Sequence, residues 1–317
     1  MRRLAIILCF CSSHAAITVA QTGDQEVIGG FLREPDSRED ADRIQRQKVL
    51  LKEFYRAFAG ERQFSLDSER SLKLAPKPVM SWTGMERSGF TSGDVFVWHR
   101  DGRAEVIGCI GSIPYGGDRR YLFQEYHALT AEPLQSASLA VAGKWAPETP
   151  GVSPTPLASA APPSDSDTRR LIQMRRLARE FQPFKAASED DEERLRLLPQ
   201  PIYRFDIRKL QEANSDVVDG AVFAYVWTNG TDPELLLLIE CRRVDDELQW
   251  TYAPVRFTWR PLSLHHQGEE IWSCVNDSGR SMRGPYVTAA AGVMSYDEID
   301  RRVEASSDRG EIGSGSD

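Results

Sequence analysis

The chain has no Cys-x-x-Cys pair, no His-Glu-x-x-His, no Gly-x-Ser-x-Gly and no glycine-rich loop ending in Lys-Ser or Lys-Thr. Those gaps exclude the readily recognised zinc sites, metalloprotease helices, nucleophile elbows and phosphate loops. It also lacks an apolar run of the roughly 20 residues a membrane helix needs. Positive charge is in deficit, with 47 acidic against 39 basic residues and a formal net charge of −8. Binding to a phosphate backbone is dominated by Lys and Arg, so nucleic acid is not an expected partner. Cysteine is scarce as well: of five, Cys9 and Cys11 lie in the first twenty residues, leaving Cys109, Cys241 and Cys274. Three thiols cannot all pair internally. Inert buried thiols are expected at Cys109 and Cys241, which sit in apolar strands, and a Cys241 to Cys274 bridge is left open.

What the chain does have begins with an address. Arg2 and Arg3 precede a short apolar run over residues 4–10, and small residues lead to a cut after Ala20. This pattern reads as a secretory signal peptide over 1–20, so the mature chain is expected to be periplasmic or extracellular, soluble, and charged about −10 once the two arginines leave. No small residue stands immediately before Cys9 or Cys11, which argues against a lipid anchor. Seven Trp, thirteen Phe and nine Tyr supply enough apolar surface for a substantial core.

Self-similarity organises the rest. The segment from Arg43-Ile44 to Lys52-Glu53-Phe54 matches that from Arg170-Leu171 to Arg179-Glu180-Phe181. Leu72-Lys-Leu-Ala-Pro-Lys-Pro-Val79, continuing to Trp82, matches Leu195-Arg-Leu-Leu-Pro-Gln-Pro-Ile202, continuing to Phe205. Gly93-Asp-Val-Phe96 matches Gly220-Ala-Val-Phe223, and Phe123 and Trp145 fall opposite Trp250 and Trp272. The blocks are colinear, which chance resemblance between a Leu/Arg-rich helix and a Pro-flanked strand does not explain.

Each unit opens on an amphipathic helix, with Ile44, Leu51, Phe54 and Phe58 on one stripe and Leu171, Met174, Ala178 and Phe181 on the other. Pro76 and Pro78, like Pro199 and Pro201, then impose an extended approach to a strand. Apolar runs separated by turn residues predict an antiparallel meander in each unit, ending on a short strand near Trp145 or Trp272. The expected class is α+β, a tandem duplication of one helix packed on a curved β-meander. The expected organisation is a disordered segment over 21–40, a first repeat over 41–147, a Pro/Ser/Ala-rich linker over 148–167, a second repeat over 168–274 and a polar, largely disordered tail over 275–317.

With these blocks in view, the sequence resembles an uncharacterised family of exported bacterial proteins. The stretches carrying the resemblance are Gly93-Asp-Val-Phe-Val-Trp-His-Arg-Asp-Gly-Arg103, Arg170-Leu-Ile-Gln-Met-Arg-Arg-Leu-Ala-Arg-Glu-Phe181, Leu195-Arg-Leu-Leu-Pro-Gln-Pro-Ile-Tyr-Arg204, Asp219-Gly-Ala-Val-Phe223 and Gly230-Thr-Asp-Pro-Glu234. It covers most of the mature chain and implies no activity, cofactor or site, since the family has no established function.

Glu125 and His127, two apart on one strand, are the candidate catalytic pair, a carboxylate-supported base. A polar outer strand face accounts for the same spacing, and the aligned positions in the second unit, Tyr252 and Pro254, show that the pair is not required by the repeat. His265 and His266 are adjacent, so on a strand they point opposite ways and make a poor metal site. Asp101 and Asp232 beside glycine read as turn residues rather than calcium ligands, and the tryptophans mostly as core. No cofactor or metal is expected. The leading expectation is a non-enzymatic exported protein that binds a ligand or partner in a helix/sheet concavity or at the junction of the repeats. An envelope hydrolase using carboxylates or the Glu/His pair, and a structural assembly protein, are the alternatives.

Overall fold

The structure, a computed structural model, describes residues 38–66, 70–86, 89–132, 134–136, 144–188, 191–228, 230–277 and 281–312. The expected signal peptide and all but the last few residues of the 21–40 segment lie outside the described residues.

Helix α1 (Arg38–Gly60) leads to short strands β1 (Phe64–Ser65) and β2 (Lys73–Leu74), then to β3 (Met80–Glu86), β4 (Gly89–Arg100), β5 (Arg103–Pro114) and β6 (Arg119–Ala128). Two further short strands, β7 (Gln135–Ser136) and β8 (Thr155–Pro156), precede α2 (Asp167–Ala178). The second half runs β9 (Phe181–Ser188), β10 (Asp191–Arg194), β11 (Arg196–Leu197), β12 (Tyr203–Arg204), α3 (Ile207–Glu212), β13 (Val217–Val226), β14 (Pro233–Val244) and β15 (Glu247–Arg256). The chain closes with β16 (Leu262–His266), β17 (Glu269–Cys274), β18 (Tyr286–Ser295) and α4 (Tyr296–Ile312).

The class is α+β and the sheets are antiparallel. One large sheet has the order β18-β6-β5-β4-β2, with β3 also on β4; the other has the order β11-β13-β14-β15-β8, with β12 also on β13. Strand alternation gives each sheet two apolar faces. Phe96, Trp98, Val106, Leu122 and Tyr126 turn to α1, whose Leu51, Phe54, Tyr55, Phe58 and Ala59 fall at helical spacing on one buried stripe. Phe223, Leu235, Leu237 and Trp250 turn to α2, which buries Met174, Leu177 and Ala178. The remaining faces meet each other: Val95, Val97, Ile107 and Phe123 from the first sheet share one core with Val222, Leu236, Leu238 and Val255 from the second. The layers are therefore helix, sheet, sheet, helix.

The Pro-flanked segments dock on their sheets in the same way. The amides of Ala75 and Val79 donate to the carbonyls of Val97 and Val95, and those of Leu198 and Ile202 to Ala224 and Val222. Each segment ends on a ring lying over a glycine. A Cβ on Gly93 would stand 2.7 Å from Trp82, and one on Gly220 would stand 2.5 Å from Phe205. Both meanders also carry a register shift at the same place, after Trp98 on β4 and after Tyr225 on β13. The extra residue is Glu105 in one and Glu234 in the other, each 1% exposed. Their carbonyls accept equivalent amides, Leu129 to Glu105 at 2.7 Å and Phe257 to Glu234 at 2.8 Å.

Several sequence expectations need correction. α2 stops at Ala178, and Phe181 opens β9 instead of extending the helical stripe, because Pro183 lacks an amide donor and drives its predecessor into the extended region. Phe96 and Phe223 face Gly108 and Leu237, which face Tyr126 and Pro254. The counterpart of Trp250 is thus Leu122, not Phe123, and those of Glu125 and His127 are Ala253 and Val255. Trp145 is a wholly buried residue outside any strand, whereas Trp272 lies half-buried on β17. Within the Pro/Ser/Ala-rich linker, β8 pairs with β15 through Thr155 and Tyr252. The expected disordered tail contains β18, which completes the first sheet against β6, and α4, whose Ile299 enters the core beneath α1. All three described cysteines are free, so no Cys241–Cys274 bridge forms.

Candidate functional site

Glu125 and His127 share the face of β6 that turns to the second sheet, beside Phe123 and Leu129. They do not act on each other: among the described residues no hydrogen bond joins them. Glu125 accepts from the Tyr286 hydroxyl of β18 at 2.8 Å. Burial pushes its carboxyl up to about 8; the Tyr286 bond opposes this, the charges of Glu234 and Asp232 add to it, and Arg256 offsets part. His127 Nδ1 meets the Ala128 carbonyl at 2.7 Å, and burial lowers the imidazole to about 4. At neutral pH the pair is a protonated acid beside a neutral imidazole.

The tertiary structure surrounds Glu125 with groups far away in sequence. Asp232 and Glu234 stand at the start of β14, Arg256 ends β15 and Lys185 comes from β9. Glu234 Oε1 accepts from Lys185 Nζ, while Oε2 has no hydrogen-bond partner among the described residues. Lys185 also lies 5.1 Å from the centroid of the Trp227 ring, whose Nε1 donates to Glu193. Burial and the Glu234 charge raise Asp232. Arg256 donates to the carbonyls of Thr258 and Trp259 at 3.0 and 3.1 Å and lies over the Tyr286 ring at 5.3 Å. Glu125 and Asp232 thus hold their protons first because burial disfavours the carboxylate and second because the Glu234 charge lies nearby. A second buried cluster, at the start of β5, is balanced. Arg103 donates to Glu240 at 2.8 Å, to Glu105 at 2.7 Å and to the Leu129 carbonyl at 3.1 Å, and Arg242 joins Glu240 at 2.6 Å.

An opening with polar lining lies elsewhere, where α1 ends against the first sheet. It is a cavity of about 500 Å³, walled by Arg62 and Gln63 after the helix, by β1 and β2, by Trp98, and by Gln135, Ser136 and Lys144. A small platform builds its rim: β1 pairs with β7 and bridges to Ser71, and the Leu72 amide donates to Phe64 at 2.8 Å. Trp98 is 1% exposed, packed edge-on against Phe64 and Tyr126, and its Nε1 has no hydrogen-bond partner among the described residues. A buried indole N–H without a partner costs about 1–3 kcal/mol, and this one is sealed within the core rather than open to the cavity.

The other sequence candidates remain apart. Nε2 of His265 is 3.9 Å from Glu270 and Nε2 of His266 is 3.7 Å from Glu180, each on a separate carboxylate. Among the described residues no group of three or more His, Cys, Asp or Glu is placed to hold a metal. Asp101 and Gly102 form the tight β4–β5 turn with φ of 48° and 84°. Asp232 sits half-buried in the β13–β14 turn, beside the acid cluster. Trp82, Trp98, Trp145 and Trp250 are core residues. No helix among the described residues is long and apolar enough to cross a membrane. Sequence reasoning missed Glu234, Lys185, Arg256 and Tyr286; the available signal was a glutamate inside an apolar run in each half, Ala104-Glu105-Val106 and Pro233-Glu234-Leu235. It also missed the cavity beside Trp98, whose walls come from five separate segments. No family model, curated protein or solved structure matches the chain.

Proposed function

We propose that this chain is an exported, non-enzymatic binding protein that takes a small polar ligand at the mouth of its first helix/sheet concavity. The observation that carries this reading is the cavity of about 500 Å³ at the end of α1, lined by Trp98, Gln63, Gln135, Ser71 and Lys144, a size suited to a small ligand. Elsewhere the spaces under α1 and α2 are filled by aromatic and aliphatic side chains, so the ligand is accommodated at the end of the helix rather than beneath it. In the hydrolase alternative, Glu125 and His127 would do the chemistry. The raised Glu125 favours it, but its hydroxyl partner, the carbonyl-bound imidazole and the surrounding apolar core favour a sealed acid over a working base.

The test is a nitrogen-15 spectrum of the indole N–H resonances while neutral sugars, sugar acids, amino acids and nucleotides are titrated in turn. A saturable shift of the Trp98 resonance, identified by its loss in Trp98→Phe, is the expected result. A Trp98 resonance that none of these moves would overturn the reading. Export rests on the N-terminal signal alone, and mass spectrometry of the secreted chain should find Gln21 as its first residue.

The two meanders are read as copies of one ancestral unit. Support comes from the matching amide bonds of the Pro-flanked segments, the aromatic ring over glycine in each half, and the bulge glutamates Glu105 and Glu234. In that reading the β1–β7 platform is an addition to the first copy, and the binding site belongs to what the copies do not share.

A further inference from the structure

Lys185 and Glu234 meet away from water, the lysine on β9 of the four-stranded sheet and the glutamate on β14 of the second large sheet. They are 4% and 1% exposed. Lys185 Nζ donates to Oε1, while Oε2 has no hydrogen-bond partner among the described residues. A buried ion pair offsets its lost hydration only when the remaining lone pairs are also satisfied, and here one carboxyl oxygen is idle. The Trp227 ring closes the site on the lysine side, its centroid 5.1 Å from Nζ. Passing one proton from the ammonium to the carboxylate turns the ion pair into a neutral amine and a neutral acid, which a dry site tolerates better. Asp232 stands within electrostatic reach of both, and burial first and the Glu234 charge second raise its carboxyl. An amine, a carboxylic acid and a proton donor are therefore held together where water is scarce, which is the arrangement that makes amide formation effectively unimolecular.

We propose that Lys185 and Glu234 condense into an intramolecular isopeptide bond, a covalent tie between two sheets that the chain forms on itself. The ammonium first hands one proton to Oε2. Nζ then attacks Cδ of Glu234, the C–N bond forms and the Cδ–Oε2 bond breaks. Oε2 leaves as water, carrying that proton and a second one from nitrogen, and Oε1 remains as the amide carbonyl. Asp232 relays the second proton, giving its own to the departing oxygen and taking the one on nitrogen. The step is redox-neutral and consumes no co-reactant. Asp232 is half-buried at the edge of the site, where the water can leave. Condensation also neutralises Glu234, whose charge adds to burial in raising Glu125 and Asp232. The described cysteines are all free, so the tie between residues 185 and 234 would do the work that a disulfide does in other exported chains. The proposal is independent of the binding reading above.

The experiment weighs the intact purified chain by mass spectrometry under denaturing conditions and then maps it by proteolysis. The chain is expected to be about 18 Da lighter than its sequence, counted from its observed first residue, and to yield one branched peptide joining the segments that hold Lys185 and Glu234. Lys185→Arg keeps the cation but, being always charged, offers no free amine, so the full mass should return. Glu234→Gln should give the same branched peptide by losing ammonia in place of water. In Asp232→Asn the branched fraction should fall about tenfold or more. A parent chain of full mass, with Lys185 and Glu234 recovered on separate peptides, would overturn the proposal whatever the variants do. A deficit of about 18 Da that persists in Lys185→Arg would overturn it as well, since the water is then lost elsewhere. Undiminished branching in Asp232→Asn would overturn the relay by Asp232 and leave the bond standing.

Discussion

At the scale of single residues, the buried acid and imidazole of β6 make stability depend on pH with opposite signs. Glu125 rises from 4.5 in the unfolded chain to about 8 in the folded one, so the folded state keeps a proton that the unfolded state releases. Its contribution is full below 4.5 and lost as pH climbs through 8. His127 falls from 6.5 to about 4, so its contribution is full above 6.5 and lost as pH drops towards 4. The two slopes cancel between 4.5 and 6.5, the Glu125 loss stands alone from there to 8, and raised Asp232 acts in the same sense as Glu125. The melting temperature should therefore decline from pH 6.5 to 8 in calorimetric scans. In Glu125→Gln, which keeps an acceptor for Tyr286, that decline should flatten; an unchanged alkaline slope would show that another group carries it. Glycine sets a second limit. A Cβ on Gly108 would lie 2.2 Å from Cδ1 of Tyr126 and 2.8 Å from the Glu125 carbonyl, so Gly108→Ala should cost about 2–3 kcal/mol in urea unfolding.

At the scale of elements, β18 and α4 belong to the first half of the molecule although they come last in the chain. β18 covers the edge of β6 along its length, and Arg302 of α4 pairs with Glu61 and lies 5.4 Å from the Phe58 ring centroid. A chain ending before Tyr286 should lose on the order of 5 kcal/mol or more, expose an unpaired strand edge and aggregate. Size-exclusion chromatography and hydrogen exchange at the β6 amides would read both effects; a monomer with protected β6 amides would contradict the prediction. This pair of elements was hard to read from sequence for a physical reason. β18 is built mainly from Ala and Gly between Thr288 and Val293, residues of weak strand propensity. The α4 stripe is only Tyr296, Ile299 and Val303 among acids and arginines. Longer stripes, such as those of α1 and the meander strands, announced themselves because they bury one face against a dense core.

At the scale of the whole molecule, both sheets share the apolar layer between them, and Arg103 and Glu240 bridge them with a buried ion pair at 2.8 Å. Neither half can bury that layer alone. Residues 41–147 and 168–274 expressed separately should fail to fold, and the intact chain should unfold in one transition, with calorimetric and van't Hoff enthalpies in agreement. Two resolved transitions, or a folded half by circular dichroism, would refute this. By itself the sequence determined the local content: the helical stripes, the Pro-flanked approaches, the meander strands, the glycine turns and the matching motifs. These depend on residue type and spacing within a few turns of chain, where propensity and periodicity act. Only the tertiary structure decided that the two meanders stack face to face, that Glu125 bonds Tyr286 and feels the charges of Glu234 and Arg256, and that five segments enclose a cavity beside Trp98. Those outcomes depend on which apolar faces find each other across more than a hundred residues, and on burial that no short window of sequence encodes.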